Sequence, residues 1–84
     1  MNLPEQEEAK RLGFELSSFG GTYRQANYVK DDLYLTITLG DDGKTYGELS
    51  AFVGLVELRI HDFSFPHPRF ALFEQQIRDL LPAN

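Results

Sequence analysis

His61, Asp62, Ser64 and His67 lie close together in the last third of the chain, and their types could do chemistry. A serine, a histidine and an aspartate are the parts of a hydrolytic triad, in which the imidazole takes the hydroxyl proton and the carboxylate orients the imidazole. Such a triad is defined by geometry rather than by nearness in the chain. Ser64 sits in no Gly-x-Ser-x-Gly pattern and has no glycine-rich stretch beside it to build an oxyanion hole. On an extended strand His61 and Asp62 point to opposite faces, so they are not expected to pair directly. A zinc site made by His61, Asp62 and His67 needs convergent ligands with supporting hydrogen bonds. The histidine spacing crosses Pro66 and matches no standard ligand pattern. The plain reading is a solvent-facing strand histidine at His61 and a loop histidine at His67, with no metal and no cofactor.

The other chemically suggestive pairs read as turns. Asp31-Asp32 and Asp41-Asp42 fall between apolar runs, where aspartate is favoured because its side chain bonds the local backbone. No glutamate follows at the offset of a calcium loop. Gly20-Gly21-Thr22 has no Gly-Lys-Ser/Thr after it and is not a phosphate loop. No stretch carries a motif specific to a family.

The elements that position these residues follow from periodicity. Pro4 to Leu12 reads as a short helix: proline suits its first turn, Glu5, Glu7 and Glu8 complement the positive end of the dipole, and Lys10 and Arg11 complement the negative end. Gly13 stops it, with Phe14 placed for a hydrophobic cap contact. Leu33, Leu35, Ile37 and Leu39 alternate with Tyr34, Thr36 and Thr38, a half-buried strand. Thr22 to Val29 is the strand before it, joined by the turn Lys30-Asp31-Asp32, or by Asp31-Asp32 if the turn has two residues, and Phe14 to Ser18 is a further short candidate. A two-residue Asp42-Gly43 turn would oppose polar Thr36 to Leu49. A three-residue loop, Asp41-Asp42-Gly43, instead pairs Leu35 with Leu49 and Leu33 with Ala51, and puts Gly43 at the left-handed position. Leu49, Ala51 and Val53 alternate in one phase and Val56, Leu58 and Ile60 in the other. One long strand from Thr45 to Asp62 with a bulge at Gly54 accounts for this, and a break into two strands at Gly54 is the alternative. Pro66-His67-Pro68 ends the strand, and Pro68 is expected to open the next helix. Phe70, Phe73, Ile77, Leu80 and Leu81 then recur as the apolar stripe of a second helix that Pro82 stops.

The expectation is one α+β domain spanning residues 1–84. It is an antiparallel meander of three to four strands, the last long and bulged, with a short N-terminal helix and a C-terminal amphipathic helix packed on the sheet. With Ala26 and Tyr28 facing the core beside Leu35 and Ile37, the opposite face carries Tyr23, Gln25, Asn27, Tyr34, Thr36, Tyr46 and Glu48, together with Val29, Thr38, Ser50 and Phe52. Tyrosines among amides and hydroxyls suit protein recognition, because tyrosine supplies contact area at low entropic cost. Those first seven residues are the expected protein-binding site.

Composition bounds the function. Eight basic residues against thirteen acidic ones leave a formal charge of −5, and the basic residues are scattered. That excludes the basic stripe that nucleic acid needs and disfavours anionic membranes. There is no cysteine, hence no disulfide and no thiol catalysis. No apolar run reaches the length of a membrane span, and the first residues lack the pattern of a secretory signal, so a cytoplasmic location is expected. A small acidic domain without a catalytic constellation suggests a protein that binds another protein and acts by occlusion: an inhibitor, an immunity protein or an adaptor. One version inhibits a nucleic-acid-handling enzyme, as phage and mobile-element proteins do. Pairing with a second copy through the sheet face is a further expectation. The competing reading is a small histidine-dependent enzyme or metal-binding protein that uses His61 and His67.

Overall fold

The computed structural model describes residues 5–20 and 24–82. Its elements are helix α1 (Gln6–Arg11), strands β1 (Glu15–Gly20), β2 (Gln25–Lys30), β3 (Leu33–Leu39), β4 (Thr45–Val53) and β5 (Val56–Ser64), and helix α2 (Phe70–Arg78). Among the described residues the strands form one sheet in the order β1-β2-β3-β4-β5, each pair antiparallel. The architecture is the expected α+β meander, with five strands in place of three or four.

The first turns follow their sequence chemistry. Lys30 pairs with Leu33, leaving Asp31-Asp32 as a two-residue connection. Asp31 adopts a φ of +53°, which aspartate tolerates better than most residues. Leu35 pairs with Leu49, the register predicted from a three-residue loop. Gly40 N–H donates to the Lys44 carbonyl at 2.7 Å, which closes the ladder around residues 41–43. Gly43 holds the left-handed position, with φ +80°.

The expected long strand is corrected. The chain reverses at Gly54-Leu55, and Val53 pairs with Val56, so Thr45 to Asp62 is a hairpin and not one bulged strand. Gly54 has a φ of +61° while Leu55 does not share that sign. This is the arrangement of a two-residue hairpin with glycine at its first turn position. Nothing lies within 4 Å of a Cβ added at Gly54, so a side chain there meets only the backbone penalty of a positive φ. Gly54→Val is expected to lose about 1–2 kcal/mol in urea denaturation, whereas a glycine inside a regular strand would gain stability from valine. A rise in the denaturation midpoint would exclude the hairpin turn.

Both helices pack on the face that carries the buried residues Ala26, Tyr28, Leu33, Leu35, Ile37, Leu49 and Ala51. Helix α1 begins at Gln6 rather than Pro4; Pro4 lies outside the described residues. Its end follows the sequence. Gly13, at φ +92°, donates to the Lys10 carbonyl, and Phe14 N–H reaches back to the Ala9 carbonyl at 3.0 Å. This double bond pattern, with Ala9 and Phe14 both buried, is the Schellman closure of a helix. Lys30 then ties the helices together. Its Nζ donates to the Leu12 carbonyl at 3.0 Å and to Glu74 Oε2 of α2 at 3.0 Å, above the Phe14 ring at 5.4 Å.

Helix α2 begins at Phe70 rather than Pro68 and presents Phe70 and Ile77 to the core as expected, but two stripe residues depart from the expectation. Phe73 is only half-buried, and Leu80, which lies past the helix end at Arg78, is 65% exposed. The deep packing comes instead from an aromatic cluster. Phe70 meets Phe14, Phe63 and Phe65 edge-on at centroid distances of 5.9, 6.0 and 5.5 Å, the arrangement that ring quadrupoles favour.

Candidate functional site

Antiparallel pairing with period-2 alternation sorts the other face of the sheet into cross-strand rows. Gln25, Thr38 and Tyr46 form one row with Ser64. Asn27, Thr36 and Glu48 form the next, with Ser18 at one end and His61 at the other. Val29, Tyr34, Ser50 and Arg59 form the third. Six of the seven expected binding residues therefore share one face, namely Gln25, Asn27, Tyr34, Thr36, Tyr46 and Glu48. Tyr23 lies outside the described residues. Among the described residues no helix packs over this face.

Several of these side chains are already engaged. Thr36 Oγ1 donates to Asn27 Oδ1 at 2.9 Å, and Asn27 Nδ2 donates to Ser18 Oγ at 3.0 Å, a relay that holds three strands in register. The Tyr46 hydroxyl donates to Asp42 Oδ2 at 2.5 Å, and Lys44 N–H donates to Asp42 Oδ1. The hydrogen bond to Asp42 pushes the Tyr46 phenol above its ordinary pKa. The same bond, aided by the Lys44 amide, holds the Asp42 carboxyl below its ordinary value. Tyr46 is thus part of its own hairpin, clasping the loop. Tyr34 stands differently. It is 43% exposed and meets the half-exposed Phe52 edge-on at 6.0 Å.

The hairpin adds residues to this face that the sequence reading left off it. With β5 paired to β4, Arg59 and His61 project beside Ser50 and Glu48. Arg59 Nη1 lies 3.4 Å from Glu48 and 3.6 Å from Glu57. A register shift at Asp62, whose φ is +63°, makes a bulge. The expectation that His61 and Asp62 point apart is corrected by this bulge: His61 Nδ1 lies 2.8 Å from Asp62 Oδ2. The pair borders a shallow depression of about 340 Å³, with Gln25 and Thr38 on its other side.

The second histidine is elsewhere. His67 packs on the rings of Phe63 and Phe73 at 6.3 and 4.9 Å, and its Nδ1 accepts from Arg69 N–H at the start of α2. It is a loop histidine, as expected, with its half-buried ring packed on the aromatic cluster. His61 and His67 lie on opposite sides of the sheet and do not converge. Among the described residues no group of three metal-ligating side chains comes together, and no hydrogen bond joins Ser64 to His61. Among the described residues the open face offers an imidazole beside a carboxylate, with no serine hydroxyl hydrogen-bonded to it. Among the described residues no helix is long and apolar enough to cross a membrane. Comparison with known protein families, with curated proteins and with solved structures returns no match to this chain.

Proposed function

We propose that the chain is a small protein-binding domain that acts by occlusion, as an inhibitor, immunity or adaptor-type protein, with the open sheet face as its docking surface and no reaction of its own. The observation that carries this reading is the Tyr34–Phe52 pair, two large rings 43% and 52% exposed on a face that no described helix covers. Exposed aromatics flanked by polar groups are the composition of binding hot spots. The Ser18–Asn27–Thr36 relay supports the same reading, because side chains fixed before binding lose little entropy when a partner arrives. The formal charge of −5 favours a partner with a basic surface.

The test begins with affinity capture from the native host and continues with the dissociation constant of the captured partner. Tyr34→Ala and Phe52→Ala are each expected to weaken binding by about 2 kcal/mol, roughly thirtyfold. Gln76→Ala, on the exposed side of α2, is the control and is expected to bind like the parent. Melting temperatures are measured alongside, since cross-strand aromatic pairs also hold sheets together. Folded Tyr34 and Phe52 variants that bind like the parent would place docking elsewhere. Loss of function in His61→Ala alone would move the assignment to the His61–Asp62 pair.

A further inference from the structure

Strand β5 is an edge of the sheet, and among the described residues no strand pairs with its outer side. Val53 and Val56 close a two-residue hairpin, and in such hairpins the closing pair exchanges both backbone hydrogen bonds. Alternation then turns the amides and carbonyls of Val56, Leu58 and Ile60 toward β4, and those of Glu57 and Arg59 outward. An outward row of this kind is a template for another strand. Natural edges are usually blunted by charged side chains, proline or bulges, but charges of opposite sign, such as Glu57 and Arg59 on β5, complement a second copy of themselves. The opposite edge, β1, carries such a bulge between Leu16 and Ser18. On β5 the bulge comes only at Asp62, leaving Val56 to His61 regular. That stretch has opposite charges two residues apart on one face and apolar residues on the other.

We propose that β5 pairs with β5 of a second copy in antiparallel register centred on Leu58, making a continuous ten-stranded sheet. The charges select this register. A two-fold axis through Leu58 sets Glu57 opposite the second copy's Arg59, and Arg59 opposite its Glu57. On the other face it sets Leu58 against Leu58 and Val56 against Ile60. An axis through Glu57 or Arg59 would place like charges face to face, and one through Ile60 would drive the ladder into the Asp62 bulge. Registers offset by a single residue would oppose side chains from different faces, which antiparallel pairing forbids. The Glu57 and Arg59 side chains are 39% and 49% accessible, and Val56 is 62% exposed, so a partner can reach them, exchanging the pairing of Arg59 with Glu57 inside the chain for pairing across the axis. The contact is self-complementary, as a two-fold interface must be. It is small, which places it among weak, transient interfaces.

Sedimentation equilibrium over a concentration series reaching the millimolar range tests the proposal. The parent is expected to show a monomer–dimer equilibrium. Glu57→Arg and Arg59→Glu each set like charges opposite each other at both ends of the register, and each is expected to raise the dissociation constant about tenfold or more. The double exchange E57R/R59E restores the pairing and is expected to return the parental constant. Mixing the two single variants is expected to give a heterodimer stronger than either homodimer. Both positions are exposed, and circular dichroism melts check that each variant is folded. A parent that stays monomeric throughout overturns the proposal. So does a dimer whose constant is unmoved by the single exchanges or not rescued by the double one. Tyr34→Ala, which tests the open face, is expected to leave self-association unchanged, so the two assignments fail separately.

Discussion

Phe70→Ala is expected to cost about 3–5 kcal/mol, the usual range for truncating a buried phenylalanine. Total stability of small domains is about 5–15 kcal/mol, so this one change removes a large part of it. Phe70 is 3% exposed and is where three other rings meet: Phe14 at the end of α1, Phe63 on β5, and Phe65 after it. Truncation therefore opens a cavity among rings that are fixed by separate elements and cannot easily close on it. The measurement is the urea midpoint and slope, with Leu72→Ala as the companion. Leu72 lies on the same helix but is 50% exposed, so its replacement is expected to change stability by no more than about 0.5 kcal/mol. Phe73→Ala should fall between the two, since Phe73 only partly enters the core. A Phe70→Ala protein that melts within a degree or two of the parent would show that α2 does not cover the sheet as described.

The contrast between Phe70 and Phe73 shows how far periodicity reaches. Helical spacing identifies a stripe, but every member of the stripe looks equivalent in sequence. Depth is set by where the sheet ends beneath the helix, and that depends on β5. The alternation of Leu33, Leu35 and Ile37, and the turn chemistry of Asp31-Asp32 and Asp41-Asp42-Gly43, were enough to assign the β2–β3 and β3–β4 registers. From those registers came the face that carries Tyr34, Thr36 and Glu48. The Gly54 turn was ambiguous because a bulge and a two-residue hairpin shift the apolar phase in the same way. Length decides between them: one strand from Thr45 to Asp62 would run about 60 Å at ~3.3 Å per residue, against a longest dimension of 38 Å. Folding the strand back at Gly54 is what brings Arg59 and His61 to the open face. The Asp62 bulge had no such signal. No glycine or proline marks it, and its left-handed backbone is known only from the fold.

Gly47→Ala is expected to destabilise the domain by about 2–3 kcal/mol, at the upper end of the range for overpacking a core site. Strand propensity predicts the opposite sign, because glycine weakens a strand interior and alanine supplies a side chain to pack. The reason for the reversal is Phe63, the cross-strand partner of Gly47. A Cβ added at Gly47 would lie 2.3 Å from Phe63 Cε1 and 2.8 Å from Cζ, well inside van der Waals contact. The ring has no room to retreat. It is held by Phe70 at 6.0 Å, by Phe73 at 5.1 Å and by His67 at 6.3 Å. Gly47 is thus the floor on which the aromatic cluster rests, an aromatic side chain covering a glycine on the neighbouring strand. A double-mutant cycle isolates this contact. Phe63→Ala alone is expected to cost about 3–5 kcal/mol. In that background the ring is gone, so Gly47→Ala should become neutral or slightly stabilising, and the two changes should couple by at least about 2 kcal/mol. If Gly47→Ala costs the same with and without the Phe63 ring, the penalty arises in the backbone of β4 and the ring is not what the glycine accommodates.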